Sequence, residues 1–154
     1  AVELGVHEVI PVATRRAVVK LDRKKAEKKA ERWQTIALGA AKQSKRMQIP
    51  TVHMPVTFQQ ALAMIAESDV RLMPYENAEG MEGTRKILES IEPGESIAVL
   101  IGPEGGIDEA EVEMAMKAKV EPITLGKRIL RTETAGMTVL SILVYLLEGR
   151  ERTR

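Results

Sequence analysis

The sequence predicts an α/β protein, a parallel sheet with helices on both faces. Short β-branched runs alternate with longer helical stretches along the whole chain, which is the signature of successive β-α-β units. One of these runs, IAVLIG at 97–102, is apolar throughout, as expected of a strand buried on both faces. At 154 residues and 44% hydrophobic content, the chain is long enough for one domain with its own core. Aromatic residues make up only 3%, so that core is aliphatic, and no repeat, linker or low-complexity segment divides it.

HEVIPVAT (7–14) is short, β-rich and bounded by Pro and Thr, and reads as a strand. Residues 23–42 contain no Pro and one Gly, with Ala26, Ala30, Trp33, Ala37 and Ala40 at spacings of three and four. This is an amphipathic helix with a narrow apolar stripe, anchored by Trp33, and a basic outer face. IPTVHMP (49–55) is a strand bracketed by prolines, followed by a helix at 58–66. DVRLMPYE (69–76) is a strand ending at Pro74, and a glycine-containing loop leads to a helix at 82–90. EPGES (92–96) is a turn before the strand at 97–102. Asp108 can cap the next helix, with Glu111 returning the interaction, and that helix runs to 119. EPITLG (121–126) is the last strand. The final helix, 132–147, is apolar nearly all round and must be covered on all sides. A homodimer through this helix does that most simply; burial within one chain is the alternative.

Composition narrows the function. With no cysteine there are no disulfides, thiolate nucleophiles or Cys-based metal sites. His7 and His53 are far apart in sequence, which leaves little for a metal centre or a Ser-His-Asp arrangement, so no metal is expected. No run of eighteen apolar residues indicates a membrane span, and the opening AVELGVHEVIPV has acids where a signal peptide carries positive charge. The absence of an initial Met suggests a fragment that has lost a preceding domain. A soluble, reducing, cytoplasmic setting fits best. The net charge of +1 conceals an asymmetry: residues 15–46 hold 12 Lys/Arg against 3 Asp/Glu, leaving 11 against 19 elsewhere. Such a block fits a polyanionic partner or a solvated helix face equally well. Arg15, Arg16, Lys45 and Arg46 are its candidate phosphate contacts. The four aromatic residues form no stacking row, which favours recognition by shape and phosphate.

Two stretches carry the chemistry, LIGPEGGIDEAE (100–111) and LGKRILRTETAG (125–136). Both follow strands, and ligands of open parallel sheets bind beyond the carboxyl ends of the strands. Gly102, Gly105 and Gly106 allow positive φ and close approach, and Pro103 stiffens the turn. Neither GxxxxGK[ST] nor GxGxxG is present, which disfavours a phosphate cradle and a doubly wound nucleotide enzyme. The second stretch places Lys127, Arg128 and Arg131 around apolar Ile129 and Leu130, with Thr132 and Glu133 at a helix start. Thr132 can cap that helix and Glu133 suits its positive end. Apolar residues beside loop backbone suit an adenine slot, and an arginine beside them suits an anionic substrate.

Together LIGPEGG and LGKRILRTETA resemble the signature of the RsmE-type methyltransferases of 16S ribosomal RNA, which act on uridine N3 and belong to the SPOUT class. ELGV (3–6), Arg32-Trp33 and QSKRMQIP (43–50) support the resemblance, which spans nearly the whole chain. It implies S-adenosylmethionine as cofactor, small-subunit RNA or the small subunit itself as partner, and a deep C-terminal trefoil knot. Residues 1–154 would be the catalytic domain, without the family's N-terminal PUA-like RNA-binding domain; such a piece would bind cofactor but methylate poorly. The cofactor walls implied are Leu72 and Pro74, then Ile101, Gly102, Pro103, Glu104 and Gly105, then Leu125, Gly126, Ile129, Leu130, Thr134 and Ala135. Backbone groups of Leu125, Gly126, Ile129 and Leu130 would meet adenine. Glu104 would bond the ribose or the methionine amine, or only brace its loop. Arg131 is the candidate to orient the substrate, through a uracil carbonyl or a nearby phosphate. Glu133 is a candidate base, an anchor for Arg131, or only a helix-start acid. The alternative function is a non-catalytic RNA-binding or ribosome-assembly module of the same fold. Two positions depart from the family pattern: Lys42 stands where an acid is usual, and Ile107 where Phe is common.

Overall fold

The computed structural model describes residues 1–17, 22–76, 78 and 80–151. Its elements run β1 (Glu8–Val9), β2 (Val12–Ala13), α1 (Arg23–Gln43), β3 (Thr51–Val52), β4 (Val56–Thr57), α2 (Phe58–Met64), β5 (Val70–Pro74), α3 (Met81–Glu89), β6 (Ile97–Val99), α4 (Glu109–Lys117), β7 (Glu121–Ile123) and α5 (Thr132–Glu151). Lys20 of the basic block lies outside the described residues.

Every strand pairing is parallel, but the strands form three pieces rather than one continuous sheet: β1–β3, β2–β4, and β6-β5-β7. Proline is the cause of the interruption. The strand read at 7–14 is split in two at Pro11; of the strand read at 49–55 only β3 forms, and a further strand not read from sequence, β4, follows Pro55. Proline offers no N–H to a ladder. The ribbon nevertheless continues across the gaps, because the His53 N–H donates to Val9 O and the Val56 N–H to Pro11 O, both at 2.9 Å.

The three-stranded sheet is covered on both faces at its centre, β5, whereas β6, expected to be buried on both faces, is an edge strand of half-buried residues. Successive residues of β5 point to opposite sides, and Leu72 and Met73 are both fully buried. Met73 joins Phe58 and Leu62 of α2, Val112 and Ala115 of α4, and Leu100 and Ile107. Leu72 joins Leu88 of α3, Val139 and Leu143 of α5, and Ile91 and Ile123. A third, smaller cluster sets Ala37 and Ala41 of α1 against Val2, with Val52 of β3 alongside. Trp33 stands half-buried at the edge of α1, with the Lys29 ammonium 6.0 Å from its ring centre.

Local chemistry fixes the helix ends. Asp22 caps α1 by accepting from the Lys25 N–H, and Lys42 lies in its last turn, where a cation meets the negative end of the helix. Thr57 and Gln60 close a reciprocal capping box on α2. Asp108 caps α4 by accepting from the Ala110 N–H. Glu111 does not return that interaction. It is almost fully buried, and its Oε1 accepts the Arg15 N–H at 2.9 Å.

Helix α5 is not covered all round within the chain. Val139 and Leu143 face the core, whereas Met137 is half exposed and Tyr145 is 82% exposed. These two, with Thr134, Thr138, Ser141, Ile142 and Leu146, line a shallow apolar groove of about 510 Å³. No helix among the described residues is long and apolar enough to cross a membrane.

Candidate active site

The order β6-β5-β7 puts the central strand between the two unusual loops, so all three carboxyl ends open on one region. A cleft of about 460 Å³ lies there. Pro74, Tyr75 and Glu76 form its floor, residues 101–107 one wall, and residues 124–126 and 128–130 the other, with Thr132 and Ala135 of α5 behind.

Side chains hold each wall in place. Thr132 was expected to cap α5. It is instead the first helical residue, and its hydroxyl donates to Gly102 O at 3.0 Å, fastening one loop to the other. Gly136, on the next turn of α5, faces Ile101. Buried Thr84 of α3 accepts the Thr124 N–H at 2.9 Å and so fixes the start of the second loop. The Tyr75 N–H donates to Ile123 O at 2.9 Å, which holds the floor to β7.

Of the three glycines at 102–106, only Gly106 takes a positive φ, +73°. Gly102 is required by close approach: a β-carbon there would stand 2.8 Å from Ile107 Cγ1. Ile107 is buried beneath the loop in the cluster around Met73. At the position where the family pattern has Phe, this chain therefore has an aliphatic plug under the cleft wall.

Pro74, Ile101, Gly102, Pro103, Glu104, Gly105, Leu125, Gly126, Ile129, Leu130 and Ala135 all line the cleft. Leu72 lies beneath it, fully buried in the core. Thr134 lines the groove on α5 instead. Arg131 and Glu133 are exposed at the start of α5, beside the lining rather than in it. Arg131 O accepts the Ala135 N–H at 2.8 Å, so this arginine stands at the helix cap position. Among the described residues no ion pair joins Glu133 to Arg131.

The four basic candidates fall into different settings. Lys45 is exposed, in a left-handed backbone turn with φ of +58°. Arg46 is folded inward, its guanidinium donating to Val2 O, Val6 O and Gly5 O at 2.9, 2.7 and 3.4 Å. Arg15 and Arg16 flank Asp108, and Arg16 itself lines the cleft.

Sequence reasoning missed Tyr75, Glu76, Thr124 and Glu109 as cleft residues. Pro74 was read as the end of a strand, and that reading would have reached Tyr75 and Glu76 had it been carried past the strand's carboxyl end. It also missed a pair between the two histidine-bearing strands, where His53 Nε2 lies 2.6 Å from Glu8 Oε2. Among the described residues no group of three or more His, Asp or Glu side chains could hold a metal ion.

A parallel α/β domain with a cleft between two hydrogen-bonded C-terminal loops belongs to a class that the family comparison defines. Residues 1–144 match the model of the RNA methyltransferase domain, and the chain belongs to that family. More particularly, it is 43% identical over 149 residues to ribosomal RNA small subunit methyltransferase E of Bacillus subtilis, covering 95% of this chain and 58% of that protein. Among solved structures it is similar to ribosomal RNA small subunit methyltransferase E of Neisseria gonorrhoeae bound to S-adenosylmethionine, with a TM-score of 0.81, 35% identity, and 95% and 57% of the two chains covered. A Legionella pneumophila protein solved with bound S-adenosylmethionine is similar at a TM-score of 0.83 and 34% identity, covering 94% of this chain and 57% of that one. The chain thus spans somewhat over half the length of these relatives, and the resemblance read from its two motifs agrees with them.

Proposed function

We propose that this chain is the catalytic domain of an S-adenosylmethionine-dependent enzyme that methylates N3 of a uridine in small-subunit ribosomal RNA. The observation that carries the reading is that both signature loops close on one cleft and are joined there by the Thr132–Gly102 hydrogen bond. Relatives named as small-subunit ribosomal RNA methyltransferases, one solved with S-adenosylmethionine, support the cofactor and the RNA, and the resemblance of the two motifs supplies uridine N3.

The cleft fits the cofactor. Its volume of about 460 Å³ is in the range of small-molecule sites. Leu125, Ile129 and Leu130 offer an apolar slot for adenine, and Glu76, Glu104 and Glu109 give a cationic ligand favourable surroundings. The bound cofactor supplies an electrophilic methyl group on a sulfonium centre. The protein's own contribution is positioning. Arg131, beside the cleft and exposed, is placed to meet a uracil carbonyl or a flanking phosphate, and its charge favours the deprotonated imide. Glu133, one residue on, is available as the proton acceptor. Glu104 holds the ribose or braces its loop. Lys45 is the basic candidate most open to a phosphate; Arg46 serves the N-terminal turn.

Two finer features complete the proposal. The chain would be threaded as a trefoil knot between β6 and α5, a feature that rests on the resemblance of the two motifs. The apolar groove on α5 supports a homodimer formed through that helix.

The test is calorimetric titration with S-adenosylhomocysteine, alongside methyl transfer to small ribosomal subunits read as modification at uridine N3. The expected result is one site per chain, retained in Arg131→Ala, with transfer by that variant lowered about a hundredfold. Cofactor bound without transfer by the full-length enzyme would favour a non-catalytic RNA-binding module. No binding at all would sink the reading.

A further inference from the structure

We propose that Arg16 is a positioning residue of the cofactor cleft, holding the 102–106 loop in shape, and that it is not an RNA-phosphate contact. The inference rests on the cofactor reading given above. Loop 102–106 has glycine at three of its five positions, so it has few side chains of its own with which to hold a conformation. Its internal bond is a single turn, from the Gly106 N–H to Pro103 O at 2.8 Å, and Thr132 holds its first carbonyl. The far end is held from outside. Arg16 Nη1 donates to Gly105 O at 3.2 Å, and Arg16 Nε stands 3.8 Å from Asp108 Oδ2.

The contact is one of shape as well as charge. A β-carbon at Gly105 would lie 3.6 Å from Arg16 Cβ and 3.7 Å from Arg16 O, so a side chain there would just fill the space between the loop and the arginine's own backbone. Arg15 seats the segment from the other side. Its N–H donates to buried Glu111, and its Nη1 lies 3.4 Å from Asp108 Oδ1. Residues 15–16 are therefore fastened at several points to residues 105–111, and the Asp108 carboxylate between the two guanidiniums offsets one of their two positive charges.

The two roles separate because a guanidinium is a planar fork and an ammonium is a point charge. A phosphate accepts either, whereas holding a carbonyl and a carboxylate together needs the fork. The experiment compares Arg16→Lys and Arg16→Ala with the wild-type chain. S-adenosylhomocysteine affinity is expected to fall about tenfold in Arg16→Ala and to recover only in part in Arg16→Lys. RNA affinity should keep its dependence on salt. In the cofactor-free protein, amide hydrogen exchange at Gly105, Gly106 and Ile107 should quicken in both variants. Unchanged exchange would overturn the proposal. So would a lysine variant that behaves as wild type while the alanine variant flattens the salt slope by about one. The exchange readout needs no ligand, so it tests Arg16 even if the wild-type chain binds no cofactor and the functional reading falls.

Discussion

Ile107 and Gly102 share space that admits only one side chain. Gly102→Ala would drive a methyl into Ile107 Cγ1, which is hemmed in by Met73, Leu100 and Val112 and cannot swing away freely. Overpacking of this kind costs about 1–3 kcal/mol, to be read by urea unfolding. The double variant with Ile107→Ala should lose less than the two single variants added together, because the clash goes with the side chain. A second prediction concerns Asp69, whose Oδ2 accepts from Ser96 Oγ at 2.7 Å and the Ser96 N–H at 2.8 Å. The bond from the serine hydroxyl, then that from the serine amide, hold this carboxyl below its ordinary value of 3.8. The folded value is thus below the unfolded one, so the contribution is complete above the unfolded value and is lost as pH falls through the folded one. The difference in urea midpoint between wild type and Asp69→Asn should be flat from neutral pH to about pH 5 and shrink below about pH 4; a flat difference throughout would refute it. At this scale the sequence showed which residue types mattered better than what each one touches. Glu111 and Thr132 stood where caps belong, but their partners, Arg15 and Gly102, are distant in sequence and no local pattern announces them.

Among the elements, α1 was legible nearly to the residue because its caps and stripe are local. Its attachment to β3 was not, since beside the small cluster at Val52 it is made by one side-chain amide. Gln34 Nε2 donates to Pro50 O at 2.9 Å while Gln34 Oε1 accepts the Val52 N–H at 2.8 Å, so both ends of the side chain bind the strand's backbone. Gln34→Ala leaves a carbonyl and an amide without partners and is expected to cost about 1–3 kcal/mol, with faster hydrogen exchange at Val52 as the local sign. Exchange that stays unaltered at Val52 would show the bridge to be dispensable. The first N-terminal strand was placed correctly and drawn as one, and the second was stopped at Pro55, short of β4. Proline was taken there as a boundary, whereas Pro11 and Pro55 sit inside the ribbon and divide it. The three strands beneath the cleft were read in their right places but too long, since β6 ends at Val99 and β7 at Ile123 and the loops begin there.

At the level of the molecule, α5 has two faces that one apolar sequence does not distinguish. One face is core and the other is a groove ending at Tyr145. If a second copy covers that groove, Tyr145→Glu should yield monomers in sedimentation equilibrium while the wild type sediments as a dimer; a monomeric wild type would remove the interface. What the sequence alone could not supply was sidedness, because hydropathy records how apolar a segment is and not which neighbour each residue meets. The same limit applied to the edge of the sheet. Strand β7 ends the three-stranded order, is three residues long, and has Pro122 at its centre with exposed Glu121 before it. A border strand normally offers its backbone to any passing chain. Here the border is brief, charged at its first residue and missing an N–H at its second, so another molecule's strand finds little to extend. The same brevity and the same proline give a protein with a largely aliphatic interior a border that resists growth into fibrils.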